Sequence, residues 1–324
     1  MEKDLVSIAM ATYNGESYLR EQLDSIFNQT YKNIEVVVTD DCSTDNTIAI
    51  LDEYSQKYNL KYYINERNLG FIKNFERVLP LCNGNYIALS DQDDIWLPEK
   101  LEILMSQIRD YTLVCSDATL INTKGSIINE SFRDYSNLNT NTAKPFRTLV
   151  FSNYVTGCTC LFKKELLNNA IPVPDDVLFH DWWFGVVAST INGIKYIDKP
   201  LILYRQHSKN FIGANRYKKN SFFKRLALSI ISLSYKKRKV HKKSYLQIKK
   251  NLKIILNSGL YLDKDNKDFI EKTLKYYDSM LNSNIDIESI KFAFNNRDLF
   301  FKEDDAFLFF ILLRYLPFMR FRKN

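Results

Sequence analysis

The sequence is short of the groups that would build a secreted, membrane-spanning or dinucleotide-binding protein. Its five cysteines, Cys42, Cys82, Cys115, Cys158 and Cys160, are odd in number and form no paired Cys-x-x-Cys motif. A disulfide framework and a structural zinc site are therefore not expected, and a reducing, cytosolic setting fits. No run of about 18 apolar residues occurs, so no segment is expected to span a bilayer. Met1-Glu2-Lys3-Asp4 leads straight into a strand-like segment without an apolar signal region. A dinucleotide-dependent oxidoreductase would need Gly-x-Gly-x-x-Gly after its first strand, where this chain has Ala11-Thr12-Tyr13-Asn14-Gly15-Glu16. Histidine occurs three times, and acidic residues are missing altogether from Arg216 to Leu262.

Charge is divided unevenly along the 324 residues. Residues 1–215 hold 20 Lys/Arg against 27 Asp/Glu, whereas residues 216–324 hold 25 against 11. The length and this asymmetry predict a large acidic domain over 1–215 and a smaller basic, mainly helical region over 216–324, each meeting a different partner.

In the first region short apolar runs alternate with amphipathic ones. Leu5–Ala11, Ile34–Val38, Lys61–Ile64, Tyr86–Ser90 and Leu113–Ser116 read as strands. Tyr18–Phe27, Ile48–Tyr58, Ile72–Leu81 and Glu99–Ile108 read as the helices between them. Such βαβα order predicts an α/β fold with a mostly parallel central sheet and helices on both faces. A polar, Asn-rich stretch follows to about Ala143 and reads as loops or a hairpin. Strand-like Tyr154–Lys163, helix-like Asp181–Ser189 and strand-like Ile194–Tyr204 come next. Phe222, Phe223, Leu226, Ile230 and Leu233 fall at helical spacing inside the acid-free segment, as in a basic amphipathic helix. The apolar end of the chain, from Ala306 on, is too interrupted to span and would bury or lie in a bilayer interface.

In an open parallel sheet the ligand crevice lies beyond the carboxyl ends of the strands. Here those ends are polar: Thr12 to Glu16 after the first strand, Thr39-Asp40-Asp41-Cys42-Ser43-Thr44-Asp45 after the second, and Asp91-Gln92-Asp93-Asp94 after the fourth. Three carboxylates within four residues repel one another unless a cation or donors neutralise them. A hard divalent ion with positions open for phosphate would do so, and so would a solvated loop capping the helix that Pro98 begins. Spacing alone leaves both readings open.

Taken in order, these motifs resemble glycosyltransferase family 2, whose members open with a strand ending Thr-Tyr-Asn-x-x-Glu, then Asp-Asp-x-Ser-x-Asp, Asn-x-Gly and Asp-x-Asp-Asp. Here the third is Asn68-Leu69-Gly70, and the resemblance covers roughly residues 5–215. It implies a GT-A fold, Rossmann-like, and a nucleotide-sugar donor. Thr12, Tyr13, Glu16, Asn68, Gly70 and Gln92 would line the donor, Asp40 or Asp41 would bond a pyrimidine base, and Asp91 and Asp93 would hold the ribose and a diphosphate-bound Mn2+ or Mg2+. Phe71-Ile72-Lys73-Asn74-Phe75 departs from the family's Ala-Ala-Arg-Asn-like helix start, which leaves Lys73 without an assigned phosphate role.

His180-Asp181-Trp182-Trp183 stands where the family supplies its base, so the resemblance makes Asp181 the catalytic carboxylate of an inverting transfer; a plain helix cap is the alternative. Tyr204-Arg205-Gln206-His207 is similar to the segment of bacterial rhamnosyltransferases, in which His207 would ligate the metal or donate to the diphosphate, and Arg205 would pair with phosphate or with an upstream carboxylate. Gly157, Cys158, Trp182 and Trp183 would face the acceptor, although Cys158 and Cys160, two apart, also suit a core.

The reading is an inverting, metal-assisted transferase of L-rhamnose from dTDP-rhamnose to a bacterial surface polysaccharide or its lipid-linked precursor. The same reaction with a UDP-hexose or UDP-N-acetylhexosamine is the alternative donor. A nonenzymatic anionic-polymer binder would leave the acidic crevice without purpose, and no nucleic-acid partner is expected. The protein would be cytoplasmic, resting on the inner face of the cell membrane through its basic region, unless that region instead makes a homodimer.

Overall fold

The computed structural model describes residues 3–208, 213–214, 216, 235–281 and 287–300. The chain divides into two compact units, Met1–Tyr217 and Lys218–Asn324.

The first unit holds nine strands: β1 (Val6–Thr12), β2 (Ile34–Asp40), β3 (Leu60–Ile64), β4 (Tyr86–Ser90), β5 (Ile95–Trp96), β6 (Leu113–Ile121), β7 (Ile127–Asn129), β8 (Cys160–Lys163) and β9 (Ile194–Arg205). Its helices are α1 (Leu19–Phe27), α2 (Thr47–Lys57), α3 (Phe71–Val78), α4 (Lys100–Gln107), α5 (Phe132–Ser136), α6 (Pro145–Phe151), α7 (Leu167–Ala170) and α8 (His180–Ser189). The sheet runs β3-β2-β1-β4-β8-β6-β9-β5, with β7 beside β6. The expected parallel sheet is its first half, where β2 pairs with β1 and β3, and β1 with β4, all parallel. Past β4 the sheet becomes mixed, because β8 enters antiparallel to both β4 and β6.

Packing explains the strand sequences. Val6, Ile8 and Met10 on one face of β1, with Val36 and Val38 on β2, bury against Leu19, Leu23 and Ile26 of α1. On the other face Asn74 of α3 ties the helix to β2, its amide donating to Thr39 O (2.9 Å) while Thr39 Oγ1 donates to Asn74 O (2.9 Å). Strands covered on both faces lose the polar alternation of a half-exposed sheet, which is why they read as continuous apolar runs. Helix α8 is buried nearly all round, with Trp182, Trp183, Phe184, Val186 and Val187 at or below 5% exposure.

One segment differs from expectation: Tyr154–Lys163 is strand only from Cys160, since Gly157–Thr159 forms a 3-10 turn that brings Gly157 to the start of α8. The Asn-rich stretch, expected as loops or a hairpin, contains the β6–β7 hairpin, closed by Asn122 N–H to Ser126 O (2.9 Å), and adds the short helix α5.

The second unit contains α9 (Tyr235–Asn257), α10 (Lys264–Leu281), α11 (Ile287–Asn295) and α12 (Arg297–Phe300). Phe269, Ile270, Tyr276 and Tyr277 form its apolar interior with Phe292 and Phe300. Phe222 to Leu233 and the apolar end from Ala306 lie outside the described residues. No described helix is long and apolar enough to cross a membrane.

Candidate active site

The loops after β1, β2 and β4 are knitted to one another at the carboxyl edge of the parallel half. Asn14 and Cys42 both take left-handed backbone (φ 48° and 65°), a cost that non-glycine residues pay where surroundings enforce it. Asn14 N–H donates to Ser43 Oγ, and Asn14 Oδ1 accepts from Thr44 N–H, both at 2.8 Å. Glu16 accepts from Asn46 N–H and Nδ2, and Gln92 bonds the Tyr13 backbone in both directions. Tyr13 itself stays about half exposed.

Asp40 and Asp41 are buried rather than presented to a ligand. Asp40 accepts from Thr12 Oγ1 (2.7 Å), Ser43 Oγ (2.6 Å) and Ser43 N–H (2.8 Å). Asp41 accepts from Asn65 Nδ2 (2.8 Å), Leu69 N–H (2.7 Å) and Gly70 N–H (2.8 Å). Gly70, with φ 81°, makes the turn into α3, so Asp41 fixes the Asn68-Leu69-Gly70 element. The expected bond from one of these carboxylates to a base is thus not prearranged; what each does here is hold a loop in place.

The β4 loop gathers Asp91, Asp93 and Asp94 with residues from distant parts of the chain. Asp94 is fully buried and accepts the Arg205 N–H (3.0 Å). Burial, with the neighbouring Asp93 and Asp91 charges, pushes its carboxyl well above the usual range, and burial with Asp93 and Asp181 does the same to Asp91. Their internal counter-ion is Lys100, which is fully buried; its Nζ donates to Cys158 O (2.6 Å) and lies 3.3 Å from the Trp96 ring centroid. Burial brings that ammonium down to about 7 against the pull of Asp94 and Asp91.

Of the two roles expected for Arg205, phosphate or an upstream carboxylate, the structure shows the second: the side chain faces inward, 2% exposed. Its Nε donates to Asp93 O (2.8 Å), its NH2 group pairs with Glu21, and its guanidinium stacks on Tyr18 at 4.5 Å. Tyr18 also stacks with His207, 5.5 Å between centroids and 13° between planes.

The two expected metal ligands do meet: His207 Nε2 lies 2.8 Å from Asp93 Oδ2, both at the partly open rim. A carboxylate oxygen with an imidazole nitrogen suits Mn2+ better than Mg2+, which prefers oxygen alone. Asp91, Asp94 and Cys158 also lie within ligand distance of one another. They suit a cation less, since burial keeps the Cys158 thiol protonated and pushes the Asp94 carboxyl up.

Asp181 lies in the first turn of α8 but is not its N-cap, which is Phe179. Its Oδ1 accepts from Asn153 Nδ2 (3.1 Å) and Trp182 N–H (2.6 Å), and its Oδ2 from Gly157 N–H (3.1 Å). Burial raises the carboxyl to about 6 against these bonds. Asp181 also helps raise Asp91, so carboxylates 90 positions apart share one site. The acceptor-side expectation fails for three residues. Cys158, Trp182 and Trp183 are buried, and the indole N–H groups donate to Leu149 O and Ala170 O, both at 2.9 Å. They are core, and no face is left for a sugar.

A model of the family described as Glycosyl transferase family 2 matches residues 7–170. The chain belongs to glycosyltransferase family 2. It is 34% identical over 227 residues to a dTDP-rhamnosyl transferase, RfbG, of Shigella flexneri, covering 64% of this chain and 74% of that one. An uncharacterized glycosyltransferase of Methanocaldococcus jannaschii is 32% identical over 216 residues, 63% of this chain and 72% of its own. Among solved structures, Staphylococcus aureus TarS 1–349 in complex with UDP-GlcNAc superposes with a TM-score of 0.56 at 20% identity, covering 93% of this chain and 83% of that one. The mannosyltransferase PcManGT of Pyrobaculum calidifontis, solved with GDP-Man and Mn2+, gives 0.51 at 16% identity, covering 98% and 89%. The fold is GT-A, and the protein is a glycosyltransferase.

In this family 2 member several participants escaped the sequence reading. Lys100 follows Pro98-Glu99 and reads as the solvated first turn of a helix; only the sheet packing turns it inward. Tyr18 and Glu21 become part of the site through Arg205, some 185 positions away, a pairing with no local signal. Asn153 offered none either, since it precedes rather than belongs to a motif.

Proposed function

We propose that the protein is an inverting, divalent-metal-assisted transferase that moves L-rhamnose from dTDP-rhamnose to a saccharide acceptor. The observation that carries the reading is the Asp181 carboxylate, partly buried, oriented by Asn153 and the Gly157 N–H, and close enough to Asp91 of the donor-side loop to raise its carboxyl. Asp181 takes the proton of the acceptor hydroxyl as that oxygen forms its bond to the anomeric carbon, while the bond to the diphosphate breaks on the opposite face. Asp93 and His207 would hold the metal, which when bound stabilises negative charge on the departing diphosphate. Thr12, Tyr13, Glu16, Gln92, Asn68 and Gly70 form the nucleotide side. Arg205 acts from behind, fixing the Asp93 backbone.

Support for the donor is the 34% identity to a dTDP-rhamnosyl transferase. A UDP-hexose or UDP-N-acetylhexosamine is the competing donor. Trp182 and Trp183 are core, so neither packs on the sugar. Helix α9 lies in the acid-free segment and exposes Leu246 and Leu256 beside Lys253, a combination suited to an anionic membrane surface carrying a lipid-linked acceptor.

The test is a panel of dTDP-rhamnose, UDP-glucose and UDP-N-acetylglucosamine with Mn2+, read by thermal protection and by release of nucleoside diphosphate. The expected result is preference for dTDP-rhamnose and loss of release in excess EDTA. Full release in EDTA refutes the metal, and release only from UDP sugars refutes the donor.

A further inference from the structure

Helix α1 and the end of β9 come together beside Asp93, and the ring of Tyr18 lies between the groups they contribute. Tyr18 stands at the start of α1, its N–H donating to Gly15 O (3.1 Å) and its carbonyl accepting from Gln22 N–H (3.1 Å), so its backbone is held at both groups. Glu21 follows one turn on, on the same side of the helix. From β9 come Arg205 and, two residues later, His207. The Arg205 guanidinium lies 4.5 Å from the centre of the Tyr18 ring and pairs with Glu21. The His207 imidazole stacks on the same ring, 5.5 Å between centroids and 13° between planes, within the ~4.5–7 Å at which rings attract.

Both groups that rest on Tyr18 also hold Asp93, by different atoms. Arg205 Nε donates to the Asp93 carbonyl (2.8 Å), and His207 Nε2 lies 2.8 Å from Asp93 Oδ2. One aromatic ring is therefore shared by the residue that fixes the Asp93 backbone and by the residue that meets its carboxylate. Filling the core does not account for that ring: Tyr18 is half-buried and stands outside the apolar cluster to which its neighbours Leu19, Leu23 and Ile26 belong. The stack restrains what a ligating imidazole has to keep. Its nitrogen lone pair lies in the ring plane, so rotation about the Cβ–Cγ bond swings that lone pair away from an ion. A nearly parallel ring against the imidazole opposes the rotation, in the way that outer partners orient metal-binding histidines.

We propose that Tyr18 is a positioning residue of the metal site, its ring holding the His207 imidazole in plane and, through Arg205, the Asp93 backbone in place. The inference rests on Asp93 and His207 being the metal ligands and adds a residue that touches no metal itself. The role belongs to the ring and not to the hydroxyl, so phenylalanine serves and leucine does not.

The experiment titrates Mn2+ alone into the full chain of the parent, Tyr18→Phe and Tyr18→Leu. Binding is followed by electron paramagnetic resonance, the coupling of Mn2+ to an imidazole nitrogen by spin-echo modulation, and the fold by the metal-free melting temperature. Because Tyr18 lies outside the core, both variants should fold. Tyr18→Phe should bind within about twofold of the parent and keep the nitrogen coupling, whereas Tyr18→Leu should bind about tenfold more weakly and lose most of it. Parent-like Mn2+ affinity and coupling in Tyr18→Leu overturn the proposal, and a lowered melting temperature beside them makes Tyr18 a structural residue. A Tyr18→Phe variant as weak as Tyr18→Leu also overturns it, since the hydroxyl and not the ring would then matter. A parent that binds no Mn2+, or binds it without nitrogen coupling, removes His207 from the metal site and takes the role of Tyr18 with it.

Discussion

Replacing Arg205 with methionine separates a residue that builds the site from one that binds substrate. The substitution keeps an apolar stem of similar length and removes a guanidinium that is 2% exposed. Lost with it are the 2.8 Å bond to Asp93 O, a charge-assisted interaction of about 1.5–3 kcal/mol, and the stack on Tyr18 at 4.5 Å, about 0.5–2 kcal/mol. The pair with Glu21 adds little, about 0–1 kcal/mol, because Glu21 is half exposed. Relief from burying the guanidinium offsets part of this, so a net loss of about 3 kcal/mol is expected, near the low end for breaking a buried charged network. In a unit the size of Met1–Tyr217 that is roughly 6–12 °C in Tm, measured by differential scanning calorimetry without ligand. A phosphate-binding Arg205 predicts the reverse. A ligand-free Tm within about 2 °C of the parent, with dTDP affinity down tenfold or more, refutes the positioning role.

Three further outcomes follow from the same geometry. Because burial raises the Asp181 carboxyl to about 6 and the base must be unprotonated, kcat/KM should be level above pH 7 and fall about tenfold per pH unit below 6; a profile flat down to pH 5 contradicts it. Trp183→Ala should cost about 3–5 kcal/mol in urea unfolding and leave donor affinity unchanged, since the indole is core; a stable variant with weakened sugar binding would restore it to the site. Asp93→Ala should weaken Mn2+ binding, followed by electron paramagnetic resonance, by at least about tenfold while the fold is kept; parent-like Mn2+ affinity would remove Asp93 from the metal site.

Much of the catalytic unit is legible in the chain because the parallel strands are covered on both faces. Continuous runs such as Val36–Val38 and the polar residues just after them mark both the sheet and the crevice edge. Tyr86–Ser90 matches the expected strand residue for residue. What sequence does not carry is which way a polar side chain turns. Asp93 and Asp94 are adjacent and chemically identical. Yet Asp93 meets His207, while Asp94 is sealed inside and accepts the Arg205 N–H, and strand β9 passing alongside decides between them. The same holds for Asp40, Asp41 and Arg205, whose side chains turn to Thr12 and Ser43, to Asn65, Leu69 and Gly70, and to Asp93 and Glu21. Trp182 and Trp183 look like a sugar platform in isolation; α8, buried on nearly every side, leaves no face free for that role. The antiparallel entry of β8 was unreadable because a strand of four residues, Cys160–Lys163, does not encode the direction in which it pairs.

The most direct test of the account is a single-turnover comparison of the parent and Asp181→Asn with saturating dTDP-rhamnose, Mn2+ and acceptor, alongside donor binding by calorimetry. The asparagine can still accept from Asn153 and the Trp182 N–H but cannot take a proton. The account predicts a rate lower by about 10²–10⁴ with donor affinity within about twofold of the parent. Turnover near the parent rate, accompanied by a lowered melting temperature, would contradict it and make Asp181 a structural residue of α8.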